Sequence, residues 1–265
     1  MKEFDKRGHC MMNKYQELTI KGLKEGLKNQ WDFSDSLSKG FTISDDDMDS
    51  EDCVLTIGLN PAGDSKNADD EKMNRLYLFS VDDDIKIHKY AGEKQGRIIN
   101  NGYYRKIMRI VDATVGKGRW PWSKQSWEIL EKQIDSDSLL NHNKQSIKKQ
   151  YDRDQKREIT IYHGDMFYVH KTDSNEITMK KNWDGVEYCK KMLSYHVEDL
   201  KAHNKRIKYI YVPNKAISNW IAQGKEYIVL DDGTYVFLSE QPTSSWWHRH
   251  EREIKDPKLI NQILK

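Results

Sequence analysis

The sequence predicts an α/β fold: a three-layer α/β/α sandwich with a central four-stranded, mostly parallel sheet. Two observations predict it. Four short apolar runs recur along the chain, and stretches with helical spacing separate them, the order that places helical crossovers between parallel strands. The β-like runs are Cys53–Leu59, Ile159–Ile161 extending toward Val169, Ile207–Val212 and Thr234–Leu238. The helical stretches are Tyr103–Ala113, Ser126–Leu140, Trp183–His203 and Asn214–Gln223. Ahead of them, Tyr15, Leu18, Leu23 and Leu27 recur at near-helical spacing and predict an amphipathic helix over 12–31. Residues 45–52 are mostly acidic and read as a solvated loop. A helical or loop segment at 114–158, Lys/Gln-rich from 141 on, reads as an insertion into one domain spanning 1–265.

Composition narrows the function classes. Eight Trp, 14 Tyr and 6 Phe supply bulky core material, which argues against a disordered chain despite a mean hydropathy of −0.91. No run approaches the ~18 consecutive apolar residues of a membrane span, so no membrane partner is expected. The stretch Met1–Cys10 is charged with no apolar segment behind it, which predicts a cytoplasmic rather than a secreted protein. The three cysteines, Cys10, Cys53 and Cys189, lie far apart; they cannot supply four thiolates to a cluster, and they suit a reducing compartment. Lys and Arg total 44 against 42 Asp and Glu, so a nucleic-acid reading has to come from local clusters. One such cluster is Lys117-Gly118-Arg119-Trp120-Pro121-Trp122-Ser123-Lys124, whose mix of aromatic and basic residues suits a strand-tracking groove or a packed loop. His248-Arg249-His250 has no third ligand nearby, and no metal is expected.

The first strand runs directly into Gly58-Leu59-Asn60-Pro61-Ala62-Gly63-Asp64. Ligands of parallel α/β sheets bind at the carboxyl ends of strands, so polar residues are privileged there. Gly58 and Gly63 have phosphate-loop spacing, but Asp64-Ser65 stands where that motif needs Lys followed by Ser or Thr. A carboxylate there repels phosphate.

Gly58-Leu59-Asn60-Pro61 does not stand alone. Leu78-Phe79-Ser80-Val81, Tyr162-His163-Gly164-Asp165, Asn182-Trp183-Asp184, Pro213-Asn214-Lys215-Ala216 and Gln241-Pro242-Thr243-Ser244-Ser245 follow it in order, most of them at or after predicted strand ends. In these motifs the sequence resembles the uracil-DNA glycosylase superfamily over most of its length. The resemblance implies a monofunctional DNA glycosylase that flips a uracil or modified pyrimidine out of DNA and hydrolyses its N-glycosidic bond. Water would be the nucleophile, with no metal and no organic cofactor. It implies a DNA partner and a monomeric enzyme, in repair or in attack on foreign modified DNA. A catalytically weak binder of modified or deaminated bases is the alternative.

Residue roles follow from the same resemblance. Asn60 positions the water, and Gln241 replaces the family's usual His in supporting the departing base. Neither side chain carries charge, so slower chemistry that leans on leaving-group stabilisation is expected. Phe79 stacks on the extruded base, with Gly58 and Asp165 completing the base pocket. Pro61, Ser244, Ser245, Trp246 and Arg249 meet the DNA, Trp246 or Trp247 filling the gap in the stack. Asp165 stands where the family has a base-reading amide. An ionised carboxylate only accepts hydrogen bonds, so it favours an exocyclic amino group such as cytosine N4 over the O4 carbonyl of uracil. His163 is the alternative base reader.

Overall fold

The computed structural model describes residues 12–28, 37–38, 40–41, 43, 50–59, 78–79, 85–88, 97–100, 102–119, 145, 148, 152, 156–169, 177–222, 224–240 and 246–265. For 78–79, 85–88, 97–100, 102–105 and 246–250 the description covers the backbone only. The order of elements is α1 (Lys14–Gly26), β1 (Asp52–Gly58), β2 (Leu78–Phe79), β3 (Ile85–His88), β4 (Arg97–Asn100), α2 (Gly102–Thr114), β5 (Gly118–Arg119), β6 (Ile159–Asp165), α3 (Val186–Ala202), β7 (Arg206–Pro213), α4 (Lys215–Ala222), β8 (Tyr227–Val229), β9 (Tyr235–Ser239) and α5 (Trp246–Ile263).

The fold is mixed α/β, with a six-stranded sheet in the order β5-β6-β1-β7-β9-β8. All neighbours in it are parallel except β8, which runs antiparallel to β9. The four strands expected from the sequence form its contiguous centre, and the expected total of four is corrected to six. The two additions are edge strands of two and three residues, too short to carry a readable alternation. A separate three-stranded antiparallel sheet joins β2, β3 and β4.

Alternation along the central strands divides the core in two. Cys53, Leu55 and Ile57 of β1, with Ile210 and Val212 of β7 and Val236 and Leu238 of β9, pack toward α1, α3 and α4. Val54, Ile159, Ile161, Tyr209, Tyr211 and Phe237 point the other way, toward Ile107, Ile110 and Val111 of α2 and Ile260 of α5. Successive strand side chains face opposite sides, while positions 107, 110 and 111 share one helix stripe. Each fully buried aliphatic side chain contributes about 1.5–3 kcal/mol.

The first helix is shorter than its apolar spacing predicts. Asn13 caps it, its Oδ1 accepting from the backbone N–H groups of Tyr15 and Gln16, while Gln16 Oε1 accepts from Asn13 N–H. It ends at Gly26 because Leu27 turns extended and bridges Met179, with Lys28 N donating to Thr178 O at 2.9 Å. Among the described residues no helix is long and apolar enough to cross a membrane.

Candidate active site

The parallel order brings four strand ends to one edge. Gly58 closes β1 and is in register with Asp165, which closes β6. Pro213 closes β7 and pairs with Ser239 at the end of β9. The chain beyond β6 stays against β1, with Met166 N donating to Gly58 O and Phe167 N to Leu59 O, both at 2.9 Å. These bonds extend the ladder past the strand and fix the floor of the edge.

On that floor His163 and Asp165 share the face toward α2 and α5, as residues two apart on a strand must. Both side chains arch over Gly58. A Cβ there would stand 2.7 Å from Asp165 Oδ1 and 3.1 Å from His163 Nε2, so the close approach needs glycine. His163 Nε2 and Asp165 Oδ1 are 3.8 Å apart. The opposite ring nitrogen, Nδ1, lies 2.9 Å from Thr56 Oγ1, and the Thr56 hydroxyl donates to Tyr162 O at 3.2 Å. Thr56 and His163 are register partners on β1 and β6.

Behind the strand a buried chain of bonds steadies Asp165. Its backbone N–H donates to Tyr168 Oη at 3.2 Å, and Tyr168 Oη lies 2.6 Å from His196 Nε2. His196 Nδ1 sits 2.7 Å from Met192 O, which can only accept, so the ring hydrogen is on Nδ1 and Tyr168 donates to Nε2. Burial pushes His196 down to about 4, keeping it neutral. Burial first, and then the nearby Asp165 carboxylate, hold the Tyr168 phenol far above its ordinary value. Gly164 makes room for this ring, since a Cβ there would lie 2.5 Å from His196 Nε2.

Of the residues singled out from the sequence, Gly58, His163 and Asp165 are brought together. Asn60, Pro61, Gln241, Ser244 and Ser245 lie outside the described residues. The backbone of Phe79 belongs to β2, antiparallel to β3 in the smaller sheet. Trp246 and Arg249 fall in the first turn of α5 rather than in a loop, so a wedge built on them would be presented by a helix start. Trp183, expected to open a helix, precedes α3 by three positions and packs partly buried against Trp220, ring centroids 5.4 Å apart. Asn214 caps α4, its Oδ1 accepting from Ile217 N–H at 3.1 Å.

Sequence reasoning missed Thr56, Tyr168 and His196. Thr56 shares strand parity with Gly58 and was open to discovery on that ground; the other two depend on a pairing across the sheet and a helix facing it. Comparison with known proteins found no matching family model, no matching curated protein and no matching solved structure.

Proposed function

We propose that the chain is a monofunctional DNA glycosylase, a hydrolase that cleaves the N-glycosidic bond of a flipped uracil or modified pyrimidine on an α/β/α three-layer frame. One observation carries the reading. The four strands bearing the sequence motifs, β6, β1, β7 and β9, are parallel neighbours, so the segments that hold Asn60, Asp165, Asn214 and Gln241 all leave one edge of the sheet. That is the edge at which open α/β sheets bind ligands. A base inside duplex DNA is unreachable, and flipping it costs a few kcal/mol, so an enzyme of this class needs such convergence of polar groups with a stacking ring.

In this reading Asn60 positions water beneath the sugar and Gln241 supports the departing base. Phe79 supplies a stacking face, and the Asp165 carboxylate accepts from an exocyclic amino group. Pro61, Ser244, Ser245, Trp246 and Arg249 approach the DNA. Base release followed by mass spectrometry on oligonucleotides containing uracil, cytosine and 5-substituted cytosine tests it. Release of a base, with abasic product lost in Asn60→Ala, is the expected result. Binding without product supports a non-catalytic reader of modified bases instead.

A further inference from the structure

We infer that His163 is the acid that hands a proton to the departing base, with Thr56 and Asp165 as its positioning residues; the inference rests on the base-release reading above. Thr56 has one hydroxyl hydrogen and two neighbours within bonding distance, Tyr162 O at 3.2 Å and His163 Nδ1 at 2.9 Å. When the ring is charged both nitrogens carry a hydrogen, so the Thr56 oxygen accepts from Nδ1 and its own hydrogen turns to Tyr162 O, an arrangement that supports the charged ring. Thr56 holds the Nδ1 side, so the proton passed to a ligand leaves from Nε2, the nitrogen that faces Asp165 Oδ1 at 3.8 Å.

A carboxylate in that position favours the charged ring. Lys106 is buried on α2, the helix that packs on this side of the sheet. The titratable or charged groups that the neighbouring elements bring to this side include, among the described residues, Tyr209 and Tyr211 on β7, Arg109 on α2 paired with Glu253 on α5, and Asp256 of α5, which bonds Tyr211 and Arg252. Neutral His196 lies behind the sheet. The His163 and Asp165 side chains are 25% and 11% exposed, enough for the edge of a ligand to reach both.

The pair offers one donor and one acceptor side by side. An amino-bearing pyrimidine such as cytosine presents the complement: a lone pair on ring N3 and hydrogens on N4. Asp165 accepts from N4, and His163 Nε2–H donates to N3. As the bond from C1′ to N1 breaks, its electron pair stays with the base and the Nε2 proton moves to N3, so the base leaves neutral. Water oxygen bonds to C1′, and the proton that water sheds returns the ring to its charged form through solvent. Uracil already carries a hydrogen on N3, so it meets the His163 donor with another donor.

The test is single-turnover release from single-stranded oligonucleotides carrying one deoxycytidine, one 5-methyldeoxycytidine or one deoxyuridine, followed between about pH 5 and 8. Wild-type protein is expected to release the cytosine-type bases faster than uracil, at a rate that falls as pH rises. His163→Gln is expected to slow that release about a hundred- to ten-thousandfold and to flatten its pH profile. Thr56→Val should move the midpoint of the profile without abolishing release. A wild-type rate independent of pH, uracil released fastest, or His163→Gln at the wild-type rate overturns the inference and leaves the glycosylase reading standing. Release of no base by the wild-type protein overturns both. The wild-type profile needs no variant, so a misfolded His163→Gln does not spare the proposal.

Discussion

His196 sits on α3 with no exposed surface, ringed by Tyr15, Phe41 and Tyr168, and both of its nitrogens are bonded. In the fold it stays neutral down to about 4, against 6.5 for an unperturbed ring. Between those values the unfolded chain binds a proton that the folded chain refuses, so stability is complete above about pH 6.5 and is lost as pH falls toward 4. A gap of that size corresponds to roughly 3 kcal/mol. Urea midpoints taken across this window should drop as the solution is acidified, and a midpoint that holds steady would remove the claim. At this scale the sequence was partly legible. The alternatives His163 and Asp165 prove to be neighbours on one face, a consequence of strand parity alone. Thr56 was not legible as the partner of His163, because that contact exists only through the register of β1 with β6.

α5 was the least legible of the elements. Residues 246–250 begin with two Trp and then alternate His and Arg, with no apolar stripe to announce a helix, and Pro257 lies in its interior, where it ordinarily signals a break. What ties the helix to the sheet is Asp256. Its Oδ2 accepts from Tyr211 Oη at 2.7 Å and from Ser239 Oγ at 2.6 Å, and Arg252 Nη1 reaches Oδ1 at 3.4 Å. Tyr211 is on β7 and Ser239 closes β9, so one buried carboxylate spans two strands near the site edge. Asp256→Ala strands two buried hydroxyls, each costing about 1–3 kcal/mol. The variant should melt at lower temperature than the wild type, and an unchanged melting temperature would show that the apolar contacts of Leu259, Ile260 and Ile263 hold the helix without it. The central strands, by contrast, were readable to within about a residue at most of their ends, because full burial on both faces writes continuous apolar runs.

Across the whole molecule, protection should follow position in the sheet. β1 and β7 have partners on both sides, while β8 is a three-residue edge whose Val229 is 47% exposed. Opening costs least where few apolar contacts hold a strand. Hydrogen exchange read by mass spectrometry should therefore be slower in 53–57 and 209–212 than in 227–229; the reverse order would contradict the strand arrangement. The edge strands escaped sequence reading for the same reason they exchange fast: they are short, half-covered, and strands only by virtue of a neighbour.

The order of the central strands also governs how the chain can be made. β1 emerges first of them, yet both of its partners, β6 and β7, are encoded far downstream. During synthesis its valine, leucine and isoleucine ribbon waits with two bare flanks until Asp165 and then Pro213 have left the ribosome. Long-range parallel pairing of this kind is slow and exposed to aggregation, so the nascent protein has a built-in need for shelter.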